Sequence, residues 1–132
     1  MNTDSSFGSA IEDPVISSGA DEDRSVFRTL LDKMSDGVFI AQDYRFVFAN
    51  TALPRMLGYT HEEFVGLGFE TVIAPEFLDL WNERFRMRTG EGEEPANTYE
   101  LRFLHKGDRR AVPIELNANR IMFGGKRGVL GI

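Results

Sequence analysis

Between Asp21 and Met34 the apolar residues Val26, Phe27, Leu30, Leu31 and Met34 recur at intervals of three and four. That spacing predicts one amphipathic helix over about residues 21–35, with Asp21, Glu22 and Asp23 at its positive end. Val38 to Ala41 and Arg45 to Ala49 are short apolar runs joined by Gln42-Asp43-Tyr44, the signature of an antiparallel hairpin. Short helical turns follow at Leu53 to Leu57 and Glu62 to Val65. Pro75 then opens a longer helix to about Arg88, with Phe77, Leu78, Trp81 and Phe85 on one side. After the polar loop Thr89 to Pro95, strict alternation sets in: Leu101 and Phe103 against Glu100 and Arg102, then Val112, Ile114 and Leu116 against Ala111, Pro113 and Glu115. Strands are predicted at about Thr98 to His105, Arg110 to Phe123 and Arg127 onward, turning at Lys106-Gly107-Asp108 and Gly124-Gly125-Lys126. Two strands, several helices and three strands make an α+β fold: a five-stranded antiparallel sheet with helices over one face.

Residues 1–20 are rich in Ser, Asp and Gly, and their apolar residues Phe7, Ile11, Val15 and Ile16 keep no period, so a disordered acidic leader is expected. Residues 1–24 carry −5 of the net −6, leaving the folded part nearly neutral. A near-neutral domain without a basic face does not suit nucleic acid. The 132 residues, 42% hydrophobic, suffice for one domain with one core. No apolar run approaches the roughly 20 residues of a membrane span. The absence of cysteine removes disulfides, thiolate metal sites and cysteine nucleophiles.

Asn50 leaves the second strand where its side chain can bond free N–H groups of the following turn. Gly58 can end that turn, and Thr60 can cap the next, with Glu62 and Glu63 near its positive end. This run, Arg45 to Gly66, together with Met34-Ser35-Asp36-Gly37-Val38-Phe39-Ile40, resembles the PAS domain family. The likeness continues through Glu94-Pro95, Tyr99-Glu100-Leu101-Arg102-Phe103 and Val112-Pro113-Ile114-Glu115-Leu116, covering roughly Phe27 to Ile132. The resemblance implies a sensory or relay module, often N-terminal to histidine kinases, diguanylate cyclases or transcription regulators, with the activity elsewhere. It also implies a bacterial, cytoplasmic setting. Two departures stand out. The family's Lys-Asp-Gly turn reads Lys106-Gly107-Asp108, and the sequence stops at Ile132, before the Asp-Ile-Thr-like segment that usually leads to an effector. A fragment cut before its C-terminal output domain is therefore expected.

Within such a family the cofactor follows from residue types. A flavin photoadduct or a thioester chromophore needs the cysteine this chain lacks. Haem is disfavoured, because Trp81 or Asn82 stands where family haem sensors place the proximal histidine, and His61 and His105 lie elsewhere. A non-covalent flavin or a small metabolite stays compatible with an aromatic pocket, for which Phe48, Trp81, Phe85, Phe103 and Asn117 are the candidate lining residues. Plain core packing is the competing reading of the aromatics, and a solvent- or strand-facing role that of Asn117 and Asn119.

No catalytic or metal residues are assigned. His105 with Glu115 or Asp108 is the best acid–base pairing on offer, against a surface histidine beside a turn. Arg84, Arg86 and Arg88 could take an acidic metabolite, yet a solvated face near the helix end is the expected role. Glu91, Glu93 and Glu94 read as surface charge, and Gly124-Gly125-Lys126-Arg127-Gly128 as a hairpin turn. The leading expectation is a non-catalytic sensor and dimerisation module, pairing through the N-terminal helix, the sheet face or both. The alternative is a small enzyme or ligand carrier using the cavity of a cone-like α+β fold.

Overall fold

The computed structural model describes residues 20–132. The expected leader lies outside them except for Ala20. Helix α1 is Ala20–Lys33, ending two residues short of the predicted limit. Strands β1 (Phe39–Gln42) and β2 (Arg45–Ala49) form the expected hairpin, and its two-residue turn places Asp43 and Tyr44 at positive φ, 55° and 62°. Three short helices follow: α2 (Ala52–Met56), α3 (His61–Phe64) and α4 (Phe69–Val72). Then come α5 (Pro75–Thr89), β3 (Thr98–Leu104), β4 (Ala111–Phe123) and β5 (Lys126–Gly131). The strands pair antiparallel in the order β2-β1-β5-β4-β3.

Thr60 closes a capping box on α3, its hydroxyl accepting from the Glu63 N–H while Glu63 accepts from the Thr60 N–H. Helix α4 was not foreseen in the sequence. It belongs to a stretch that covers both edges of the sheet. Phe46 N–H donates to Leu67 O, and Gly66 N–H to Phe46 O, along the β2 edge; Ala74 N–H donates to Arg102 O on the β3 edge. Unpaired strand edges invite association, and here one connection covers part of each. It also draws the two edges toward the same face, curving the sheet into a cup.

The cup holds an aromatic core. Phe39, Phe46, Phe69, Trp81 and Phe103 are all buried, with the Trp81 ring centroid 5.4–6.0 Å from each of the other four. Phe39 lies across Gly131, where a Cβ would fall 2.2 Å from its Cζ. The strand therefore needs a residue without a side chain at that point, a packing reason rather than a conformational one.

Two predictions follow from these contacts. Gly131→Ala drives a methyl group into a ring pinned by Phe46 and Trp81, and overpacking of this kind costs about 1–3 kcal/mol. Urea denaturation should show a lower midpoint with an unchanged slope; an unchanged midpoint would refute the seating of Phe39 on Gly131. The Glu63 carboxyl is held below the usual glutamate range, first by its hydrogen bond from Lys106 and then by that from Thr60. A lowered carboxyl contributes stability above its unfolded pKa and loses it as pH falls through the folded one. Glu63→Gln should accordingly flatten the acid side of a stability-against-pH curve, and an identical acid limb in the variant would contradict this.

Candidate functional site

Asn50 is fully buried at the junction of α1, β1 and α2. Its Oδ1 accepts from the Val38 N–H at 3.0 Å and, more weakly, from the Leu53 N–H at 3.4 Å. Its Nδ2 donates to Leu31 O at 3.0 Å and Asp36 O at 2.9 Å. The foreseen contact to the turn after β2 is thus present at Leu53. The contacts to α1 and to Asp36 were not foreseen, because they depend on where the N-terminal helix ends. All four hydrogen-bonding positions of the amide are used, so one side chain fastens the end of α1 to the sheet.

A second cluster surrounds Arg88. On α5 the spacing Trp81, Phe85, Arg88 keeps one face, and all three are buried, Arg88 to 1% exposure. The expectation of a solvated Arg88 is thereby corrected. The seven-residue interval from Trp81 was the signal, and residue type had pointed the other way. Its Nη2 donates to Ala96 O at 2.5 Å, and its Nε stands 3.7 Å from Glu94 Oε2. Burial pulls the Arg88 guanidinium below its ordinary pKa, opposed by Tyr99 and Glu94. Burial likewise pushes the Tyr99 phenol up. Arg84 stacks over the Tyr99 ring at 4.6 Å, whereas Arg86 is exposed.

Between α5 and the sheet there remains one small void of about 10 Å³, lined by Trp81, Phe85, Arg88, Tyr99, Leu116 and Val129 among others. That is room for about one water-sized particle. An open cleft of about 500 Å³ lies elsewhere, between the α1–β1 connection and β4, with Gly37, Phe39, Leu53, Phe103 and Asn117 along it.

The five predicted lining residues are divided by the fold. Trp81, Phe85 and Phe103 meet in the core. Phe48 does not join them. Ile40 pairs with Phe48 but Ala41 with Phe46, so Val47 is an extra residue in β2, and this bulge turns Phe48 to the outer face. There its ring lies 6.5 Å from Phe123. Asn117 is exposed at the cleft, bonded to Thr98 and Asn119 in a polar row along the strands.

Of the acid–base pairings considered, His105 stands near Asp108 but not near Glu115. His105 accepts at Nδ1 from Gly107 N–H and packs against Gly58, whose φ is +83°. Asp108 is near at 3.6 Å, but Glu115 sits four residues along β4 from Ala111, the partner of Leu104. His61 donates from Nε2 to Ala49 O. Among the described residues no group of three or more His, Asp or Glu could hold a metal, and no helix is long and apolar enough to cross a membrane.

A five-stranded antiparallel sheet, helices packed over one face and an asparagine clamp at the entry define the α+β module. The family model of the PAS domain matches residues 35–132, and the chain belongs to that family. A methyl sulfide methyltransferase-associated sensor of Methanosarcina acetivorans is 26% identical over 127 residues, which cover 95% of this chain and 12% of that protein. Among solved structures, a PAS domain from a two-component sensor histidine kinase superposes with a TM-score of 0.68 at 17% identity, over 85% of this chain and 95% of the other. The PAS domain of an HTR-like protein from Haloarcula marismortui gives 0.66 at 18%, over 85% and 90%. At such identities the structural likeness speaks for the fold alone.

Asn50→Asp keeps the shape of the clamp but turns two donors into acceptors facing Leu31 O and Asp36 O. The loss is expected to be about 1–3 kcal/mol, since an acceptor buried without a donor replaces the two N–H groups that bonded Leu31 O and Asp36 O. Asn50→Ala should cost a similar amount. Thermal unfolding of both variants checks this, and an Asp variant as stable as the parent would contradict the assignment.

Proposed function

We propose that this chain is a non-catalytic sensor or relay and dimerisation module of a bacterial, cytoplasmic signalling protein of the histidine kinase or diguanylate cyclase type. It passes a ligand-driven or conformational signal to an output domain C-terminal to Ile132. The observation that carries this reading is the two-sided character of α1. On one side Leu31 is buried and its carbonyl is gripped by Asn50; on the other Val26, Leu30 and Met34 are 59%, 60% and 37% exposed. An apolar stripe on an anchored helix suits the same helix of a second copy, which makes the helix a lever between partner and sheet. The outer sheet face, with the half-buried Phe48, Leu130 and Phe123, offers a second pairing surface. A small-molecule signal has the open cleft beside Asn117 as the space of suitable size.

The sensing class is supported by family membership and by the relative named as a sensor. Against the alternative of a cavity enzyme, the buried polar residues described are Gln42, Asn50 and Arg88, with no carboxylate among them.

Sedimentation over a wide concentration range tests the proposal. The parent chain is expected to form a dimer, and Leu30→Glu a monomer with unchanged circular dichroism, because a charge replaces the centre of the stripe. A parent that stays monomeric at high concentration, or a Leu30→Glu variant that still dimerises, would overturn pairing through α1.

A further inference from the structure

The two edges of β4 are not used alike. Asn117 N–H donates to Ile132 O and Ile132 N–H to Asn117 O, whereas Ala118 N–H donates to Asn97 O. Hydrogen-bonding groups alternate sides along an antiparallel strand, so the odd-numbered residues of β4 face β5 and the even-numbered ones face β3. Pairing with β3 extends as far as Ala111, but among the described residues pairing with β5 ends at Ile132. From Leu116 back to Ala111 the β5 side of β4 is therefore an open edge, with the Glu115 N–H and C=O and the Pro113 C=O free to bond. Pro113 has no N–H to leave unpaired there, which suits a proline to that edge.

The cleft of about 500 Å³ runs along this edge, between β4 and the connection at Asp36 and Gly37. Phe39, Leu53 and Phe103 give it an apolar wall. Its charged groups are Asp36 and Glu115, and among the described residues no lysine, arginine or histidine lines it. Glu115 also stands directly opposite Glu100 on the exposed face, in a pair that exchanges no backbone bonds and so brings the two side chains close. Like charges so placed repel, and a cation beside them offsets the repulsion.

We propose that the open edge of β4 docks a short extended segment of a partner protein, added antiparallel in line with β5, whose residues alternate apolar and basic. The residue opposite Glu115 exchanges two backbone hydrogen bonds with it and sets a lysine or arginine beside Glu115 and Glu100. Its two neighbours, opposite Leu116 and Ile114, turn toward the core face and bury apolar side chains against the wall of the cleft. Pro113 offers the incoming strand no N–H, so pairing is limited to a few residues. The docked strand lies beside Asp36, whose carbonyl Asn50 holds at 2.9 Å. The site requires neither the dimer nor a small-molecule signal, although a ligand in the same cleft excludes the strand.

The probe is the peptide acetyl-Val-Lys-Val-Thr-Val-amide, titrated to millimolar concentration into the ¹⁵N-labelled chain. A saturable shift of the Glu115 amide resonance is expected, with slower hydrogen exchange at that amide. Replacing the peptide's lysine by glutamate should weaken binding roughly tenfold, and Glu115→Lys in the protein should abolish that preference. Methylating the backbone nitrogen of the peptide's lysine removes the donor to Glu115 O, keeps the charge, and should prevent binding. No saturable shift at Glu115, equal binding of the lysine and glutamate peptides, or an undiminished preference in Glu115→Lys would each overturn the site. Full binding of the methylated peptide would overturn it too, and would mark a cleft for small cations instead of a strand.

Discussion

The rest of this structure hangs on one buried amide. Asn50 leaves β2 at the point where the chain must turn into α2, where β1 begins, and where the end of α1 comes down on the sheet. Each of those segments ends with backbone groups that secondary structure leaves unpaired, and burial denies them water. An asparagine can answer donors with one end and acceptors with the other, which neither aspartate nor leucine of like size can do. The backbone of the same residue continues the hairpin, its N–H donating to Val38 O at 3.0 Å. Helix, hairpin and turn are therefore joined through a single residue.

What lies beyond that junction is tightly filled. Aromatic rings occupy the cup at centroid separations near 5–6 Å, and the connection from Gly66 to Ala74 covers part of the β2 and β3 edges. Close-packed interiors switch between discrete arrangements rather than deforming smoothly. On the proposed reading, a signal entering at the cleft or along α1 would move rigid blocks about the Asn50 joint. Charge follows the same division, since the buried cation Arg88 sits at the far end of α5, remote in sequence from that joint, and ties the helix to the loop at Ala96.

Much of this was legible in the sequence where local chemistry decided it. The hairpin, the capping at Thr60, the turn at Gly58, the proline start of α5 and the alternation in β3 and β4 all follow from neighbours within a few residues. Nonlocal geometry hid the rest. One bulge residue, Val47, reverses the facing of Phe48, and nothing in the run Arg45 to Ala49 marks it. Arg88 is on the Trp81 face by spacing, but its burial depends on the Ala96 carbonyl that accepts from it and the Glu94 charge 3.7 Å away, both supplied across a loop. Gly131 is required by the ring of Phe39, a partner in another strand. The short helix α4 is shaped by its duty to the sheet edges, so propensity alone did not reveal it.

The most direct test of the account is native-state hydrogen exchange at the Val38 amide, which donates to Asn50 Oδ1. If Asn50 joins helix, hairpin and turn into one cooperative unit, Val38 should exchange only through the opening that also releases Phe46 in the core. Both should then respond equally to denaturant. Val38 exchanging by a local, denaturant-insensitive route while Phe46 stays protected would show that the junction opens on its own, and the lever from α1 to the sheet would not exist.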